Sequence, residues 1–168
     1  MITPRIVRGS FYGGIMDKYK GTIIAITGAI TSFLGILAVP IYLLLGSNVL
    51  DYFTGILASD KRNQEINSSV GINGIKKKIS MWVLVIIGAM LDVLLMYATD
   101  FVSLEMPFKF YIASVCALWL LCNELISILE NLKDMGTKIP PFLKPLIDKI
   151  KSQTEEKLLD ETGADKND

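Results

Sequence analysis

The chain has 168 residues, 51% of them hydrophobic, and a mean hydropathy of +0.45, which is too apolar for an ordinary soluble domain. Its 17 basic and 17 acidic residues cancel, so charge gives no indication of nucleic-acid binding. The chain has no histidine, which removes the commonest general base and metal ligand. We therefore expect a membrane protein that is not an enzyme, with no cofactor, metal or nucleic-acid partner.

Residues 1–21 form a basic head in front of the first apolar stretch. The basic residues of this head are Arg5, Arg8, Lys18 and Lys20. A signal peptide has the same charge order, but the apolar run begins only at Thr22 and continues well beyond signal-peptide length. We therefore interpret this run as a retained membrane segment.

Three apolar stretches each contain one acidic residue and no basic residue. They are residues 22–59 with Asp51, 79–99 with Asp92, and 110–129 with Glu124. A bilayer core of about 30 Å is crossed by roughly 20 helical residues, so each stretch is long enough. A carboxylate near mid-membrane costs about 2.5–3.5 kcal/mol and usually faces another helix or water. We predict intramembrane polar, lumen or oligomer contacts for these acids. The simpler alternative is a local hydrogen bond from a Ser, Thr, Asn or Tyr to each acid in its protonated form.

The first stretch is too long for one crossing and about right for two short ones. Pro40 lies near its middle, and proline disfavours continuation of the preceding helix. We predict a short hairpin broken at Pro40, with spans of about 22–38 and 40–58, followed by spans of about 80–99 and 110–131. The alternative has three spans, in which residues 22–45 form one kinked span.

The positions of the basic residues favour four spans. Cytoplasmic segments are enriched in Lys and Arg, and four spans place 16 basic residues on one side against 1 on the other. Three spans give 12 against 5. We therefore expect an all-α, multi-pass protein of the bacterial cytoplasmic membrane with both termini in the cytoplasm. Lys76, Lys77 and Lys78 are interpreted as a topology anchor near anionic headgroups.

Residues 132–168 form the predicted cytoplasmic tail. Leu143, Leu146, Ile147 and Ile150 recur at helical spacing, which predicts an amphipathic helix over about 141–159. Such a helix would lie on the inner membrane surface or pack on a partner subunit. Cys116 and Cys122 lie six positions apart on one helix and therefore on different faces, which excludes a disulfide within the monomer.

Several short motifs, in order, resemble the holins of Gram-positive bacteria and their phages, which act in phage lysis and toxin secretion. The motifs cover about residues 40–146. The matching residues are Asp51, Thr54, Gly55, Asn67, Ser68, Ser69, Gly71, Gly74, Lys77, Lys78, Asp92, Glu124, Ser127, Ile128, Leu129, Glu130, Asn131, Gly136, Ile139 and Pro140. Each motif alone is weak, but their order and spacing agree together.

The resemblance implies a protein that accumulates in the cytoplasmic membrane, self-associates and then opens the membrane at a set time. It further implies functional coupling to a released cell-wall hydrolase (an endolysin) or a secreted toxin. We hypothesise that Asp51, Asp92 and Glu124 are mostly protonated in separate subunits and ionise in a shared lumen. The resemblance also raises an internal start at Met16, which would omit Arg5 and Arg8; an ordinary internal methionine is the simpler interpretation.

Two other functional classes stay open. A small proton-coupled transporter or ion channel would also place acids in membrane spans, although the chain shows few spans and no evident internal repeat. A non-pore membrane adaptor would use the tail helix as a docking element. Release of large proteins separates a holin from both, because a transporter passes only ions or metabolites and an adaptor leaves the membrane intact.

Overall fold

The computed structural model describes residues 4–62, 68–98 and 109–162, and these residues form helices without any strand. The helices are α1 (Pro4–Leu34), α2 (Ala38–Lys61), α3 (Ser68–Ala98), α4 (Tyr111–Asp134) and α5 (Leu143–Thr162), with a 3₁₀ turn at Gly35–Leu37 before α2. The prediction of an all-α protein is confirmed. The chain divides into two units, residues 1–35, which contain α1, and residues 36–168, which contain α2 to α5.

Three helical stretches of the described residues are long and apolar enough to cross a membrane. They are Tyr19–Ser59, Gly74–Ala98 and Tyr111–Asp134. The first has 41 residues, or about 60 Å of helix at 1.5 Å per residue, which is twice the thickness of a bilayer core. Its length is compatible with two crossings or with one crossing and an interfacial segment, so four spans stays a prediction.

The break in the first apolar stretch lies one turn before Pro40. It is the 3₁₀ turn Gly35–Leu37, where Gly35 has a φ of +55°. Proline cannot donate to the carbonyl four residues earlier, and its ring clashes with that group, so regular helix is disfavoured around Ile36. Pro40 itself is the third residue of α2, where a backbone N–H has no helical acceptor in any case. The helix is therefore interrupted at Gly35–Leu37, before Pro40, where we predicted the break.

Helix α4 is at the centre of the second unit and packs against α2, α3 and α5. Helices α3 and α4 approach closely at Gly88, where an added Cβ would lie 3.0 Å from the Cα of Ala113 and 3.3 Å from Sγ of Cys116. Small residues allow such close packing in lipid, where hydrophobicity does not drive helices together. In the first apolar stretch, by contrast, a Cβ added at Gly28 would meet no atom within 4 Å.

The outer surfaces of α2 and α3 are apolar. Large exposed side chains on these helices include Leu50, Phe53, Leu57, Ile86, Met90 and Leu94. A soluble protein rarely exposes a continuous apolar surface of this kind, whereas a membrane protein presents it to lipid. The polar side chains of α2 and α3 described below lie on the opposite, inner side, against α4.

Helix α5 begins at Leu143 and packs against α4, a contact within the subunit that we did not predict. Of the four apolar residues that predicted its amphipathic face, Leu143 and Ile147 are half-buried, whereas Leu146 and Ile150 are 50% and 40% exposed. The half-buried positions of the helix continue instead through Lys151, Thr154 and Leu158. The contact face therefore includes a lysine, which hydrophobic spacing alone does not reveal.

Candidate functional site: a polar network between α2, α3 and α4

A lysine of α3 joins two carboxylates that belong to different helices. Nζ of Lys78 lies 2.9 Å from Oδ2 of Asp51 in α2 and 2.5 Å from Oε2 of Glu124 in α4. A third acceptor, Oδ1 of Asn48, lies 3.5 Å away. An ammonium group has three donors, so each donor has an acceptor here. We call Asp51, Lys78 and Glu124 the charged triad.

The charged triad is largely removed from solvent. The side chains of Lys78 and Asp51 are 17% and 18% exposed, and that of Glu124 is 3% exposed. Charges taken out of water are tolerated when they are paired and hydrogen-bonded, and removal of one partner leaves a costly unpaired charge. The triad therefore fixes the relative positions of α2, α3 and α4. It contains two carboxylates for one ammonium group.

The network continues from Asp51 toward the end of α2. Nδ2 of Asn131 donates to Oδ1 of Asp51 over 3.1 Å and to Oγ1 of Thr54 over 3.2 Å. Arg62 in turn donates to Oδ1 of Asn131 over 3.0 Å and to Oδ2 of Asp134 over 2.6 Å. We use the name polar network for the charged triad together with Asn48, Thr54, Arg62, Asn131 and Asp134. The network forms a continuous chain of polar contacts between the inner faces of three helices.

Asp92 has a separate role at the opposite end of α3. Its Oδ1 accepts from the backbone N–H of Ile112 at 2.8 Å, and its Oδ2 accepts from that of Ala113 at 2.9 Å. The first N–H groups of a helix have no intrahelical acceptor, so a carboxylate there stabilises the helix and its dipole. Asp92 thus caps α4 from a neighbouring helix. Fourteen residues separate it from Lys78, which corresponds to about 21 Å along α3.

The structure brings together two of the three predicted acids. Asp51 and Glu124 share Lys78, whereas Asp92 lies apart from them. Sequence reasoning missed Lys78 as a partner because it treated the whole lysine run as a surface anchor. One signal was available: consecutive residues of a helix point about 100° apart, so three lysines in a row cannot all face the same way. Lys76 and Lys77 are indeed exposed. Asn48, Arg62 and Asp134 were also missed.

Some of the residues singled out by the holin resemblance lie in or beside the polar network. Thr54, Lys78 and Asn131 belong to it, and a Cβ added at Gly55 would meet Nδ2 of Asn131 at 3.7 Å. Glu130 instead pairs with Lys144 of α5. Lys77 and Pro140 are exposed, Gly71 lies in α3, and Asn67 lies outside the described residues. Met16 lies in α1, and its side chain is not among those that the structure describes.

Helix α5 is attached to α4 by polar contacts. Nζ of Lys144 lies 2.9 Å from Oε1 of Glu130, and this hydrogen bond raises the pKa of Lys144 above its ordinary value of 10.5. Nζ of Lys151 donates to Oδ1 of Asn123 over 2.8 Å and lies 4.4 Å from the centre of the Trp119 ring. Nε1 of Trp119 donates to Glu155. The order of these pairs shows that the two helices are antiparallel.

The architecture defines a class: a helical membrane protein with several apolar helices, an apolar outer surface and polar contacts between its helices. Among the described residues, no three His, Cys, Asp or Glu side chains are grouped in a way that could hold a metal ion. Residues 28–152 match the model of the bacteriophage holin family. The chain therefore belongs to the bacteriophage holin family, which is not a family of enzymes.

Curated relatives of this chain occur in several Gram-positive bacteria. An uncharacterized protein of Listeria monocytogenes is 41% identical over 99 residues, which cover 59% of this chain and 62% of that protein. An uncharacterized protein of Halalkalibacterium halodurans is 37% identical over 76% of this chain and 90% of its own length. An uncharacterized 14.9 kDa protein in the nagH 3′ region of Clostridium perfringens is 30% identical over 83% of this chain and 97% of its own length. No solved structure matches the chain.

Proposed function

We propose that this protein is a holin that assembles in the bacterial cytoplasmic membrane and forms a lesion through which a cell-wall hydrolase or a large toxin leaves the cell. The observation that carries the proposal is the match to the bacteriophage holin family over residues 28–152, which include the whole polar network. The apolar outer surfaces of α2 and α3 support it, because they suit insertion into lipid.

The packing of the second unit supports assembly from many copies. Helix α4 is enclosed by α2, α3 and α5, and the charged triad fills the space between the helices with paired groups. A passage wide enough for a folded enzyme therefore has to form between subunits rather than within one. The polar network has a supporting role here, because it keeps each subunit intact while subunits associate through other surfaces.

The orientation we propose places both termini in the cytoplasm. Four spans put 16 basic residues on the cytoplasmic side, which satisfies the positive-inside rule. The tail helix then begins at the cytoplasmic membrane surface, directly after the last span.

Release of large molecules tests the proposal directly. Purified protein is added to vesicles that contain a small dye and a fluorescently labelled hydrolase, and empty detergent is the control. A holin releases both molecules, a transporter or narrow channel releases the dye alone, and a non-pore adaptor releases neither. In cells, induction of the protein together with a cytosolic cell-wall hydrolase should cause lysis, whereas expression of the hydrolase alone should not.

A further inference from the structure

The position of α5 along α4 has a physical consequence in a bilayer. Three pairs connect the helices in antiparallel order: Lys144 with Glu130, Lys151 with Asn123, and Glu155 with Trp119. Trp119 and Asn123 lie near the middle of α4, which extends from Tyr111 to Asp134. If α4 crosses the membrane, the segment of α5 around Lys151 and Glu155 lies near the middle of the bilayer.

The side of α5 that faces away from α4 carries many charged residues. Besides Lys144 and Glu155, which pair with α4, the exposed charged residues of α5 are Asp148, Lys149, Glu156, Lys157 and Asp160. Ionised side chains are costly in hydrocarbon and face a water-filled space when they lie at membrane depth. The charged part of this surface therefore requires water while α5 is packed along a membrane-spanning α4, and the exposed apolar side chains of Leu146 and Ile150 lie beside it. The exposed sides of α2 and α3 are apolar and suit lipid.

We infer that α5, docked along α4, lines the aqueous lumen of the assembled lesion. Subunits arranged around the lumen would place α2 and α3 toward lipid and the charged side of α5 toward water. The inference rests on the proposed function and adds the identity of the lumen wall. The tail helix is then part of the open lesion itself, and the cytoplasmic position of the C-terminus proposed above applies to subunits before the lesion opens.

A crosslink between α4 and α5 tests whether the docked arrangement exists in open lesions. Cys116 and Cys122 are first replaced with alanine, and Ser127→Cys and Ile147→Cys are introduced together, because these half-buried positions lie between the Glu130–Lys144 and Asn123–Lys151 pairs and belong to neither. A short bifunctional thiol crosslinker is applied to vesicles, and release of the labelled hydrolase is compared with and without crosslinker. We expect crosslinking within single subunits and no loss of release. Absence of the crosslink in open lesions, or loss of release in the crosslinked protein, overturns the inference. The pair Phe53→Cys and Ile147→Cys is the control, because Phe53 lies on the outer side of α2.

Thiol labelling tests whether the outer side of α5 meets water in the open lesion. Ser152 is exposed, neutral and next to Lys151, so Ser152→Cys reports the environment of that side. We expect a membrane-impermeant thiol reagent to label it at least tenfold faster than Leu94→Cys, which lies on the apolar side of α3. Equal, slow labelling of both positions overturns the inference. If the cysteine-free parent protein releases no hydrolase, the proposed function itself fails, and the inference fails with it.

Discussion

At the scale of single residues, the lone charged groups of the apolar stretches act as fixed connections between helices. Lys78 satisfies two carboxylates at once, and Asp92 satisfies two backbone N–H groups of α4. Each of these side chains is held by specific partners from another helix. Their substitution should therefore change the stability of the subunit before it changes any property of a lumen.

Loss of the lysine should destabilise the protein strongly. Lys78→Met leaves Asp51 and Glu124 next to each other without a cation, and breaking a buried ion pair by removing one partner costs about 3–5 kcal/mol. Unfolding in detergent, followed by circular dichroism during titration with a denaturing detergent, measures the effect. Lys77→Met is the matched control and should be nearly neutral, because Lys77 is exposed. Adding Asp51→Asn and Glu124→Gln to Lys78→Met should restore much of the stability; if it does not, repulsion between the carboxylates is not the cause.

Loss of the cap should have a local effect at the start of α4. Asp92→Ala removes both acceptors of the Ile112 and Ala113 N–H groups, and loss of a capping side chain costs about 0.5–2 kcal/mol. Amide hydrogen exchange should accelerate at Ile112 and Ala113, while the amide of Leu120, in the interior of α4, stays protected. Asp92→Asn keeps one acceptor and should show a smaller effect. Unchanged exchange at both amides in Asp92→Ala would show that the cap contributes no stability.

At the scale of elements, the residue pattern predicted where the helices lie in the sequence better than which of their faces contact other helices. The apolar stretches place α2 and α4 within a few residues of their bounds, whereas α3 begins at Ser68, about twelve residues before the predicted start of its span. The partners of Asp51 and Glu124 could not be predicted, because they depend on the rotation of α3 about its axis. The contact of α5 with α4 was also missed, since it includes Lys151, whose ammonium group lies over the ring of Trp119.

The contact between α3 and α4 should be intolerant of a single methyl group. In Gly88→Ala, the new Cβ would lie 3.0 Å from the backbone of Ala113, which cannot move without shifting α4. Overpacking of this kind costs about 1–3 kcal/mol. The matched control is Gly46→Ala, because a Cβ at Gly46 meets no atom within 4 Å and alanine favours helix. Denaturing-detergent titration should show a lower midpoint for Gly88→Ala and an equal or higher midpoint for Gly46→Ala.

The contribution of the Lys144–Glu130 pair to docking of α5 should fall at high pH. Because its pairing with Glu130 raises the pKa of Lys144, the charge on Lys144 is fully present below the ordinary lysine value of 10.5 and is lost as the pH rises through the higher folded value. Both side chains are more than half exposed, so the effect is small. Fluorescence of Trp119 in a Trp82→Phe variant should report the loss, since α5 contacts that ring. Lys144→Met should remove the contribution of this pair at every pH. If the same fluorescence change already occurs near pH 8, deprotonation of Lys144 is not its cause.

At the scale of the whole molecule, charge and apolar surface are separated in a way that matches a bilayer. The basic residues lie almost entirely outside the apolar stretches, and Lys78, at the start of one of them, is paired with two carboxylates. The outer surfaces of α2 and α3 are apolar, whereas the exposed surface of α5 carries charged residues beside Leu146 and Ile150. If α5 is docked along α4 within the bilayer, as we infer, this charged surface favours association of subunits around water.

The number of spans can be decided by labelling single cysteines in intact cells before lysis. In a background without Cys116 and Cys122, we place one cysteine at a time in the head (Ser10→Cys), at Lys109 and in the tail (Lys138→Cys). Four spans predict that an impermeant thiol reagent labels only the cysteine at position 109, because an even number of crossings returns the tail to the side of the head. Three spans predict that the head is labelled as well. Permeabilised cells, in which all three cysteines should react, provide the control. The four-span prediction depends on the 41-residue stretch Tyr19–Ser59. This stretch crosses the membrane twice only if the chain reverses direction at the turn Gly35–Leu37.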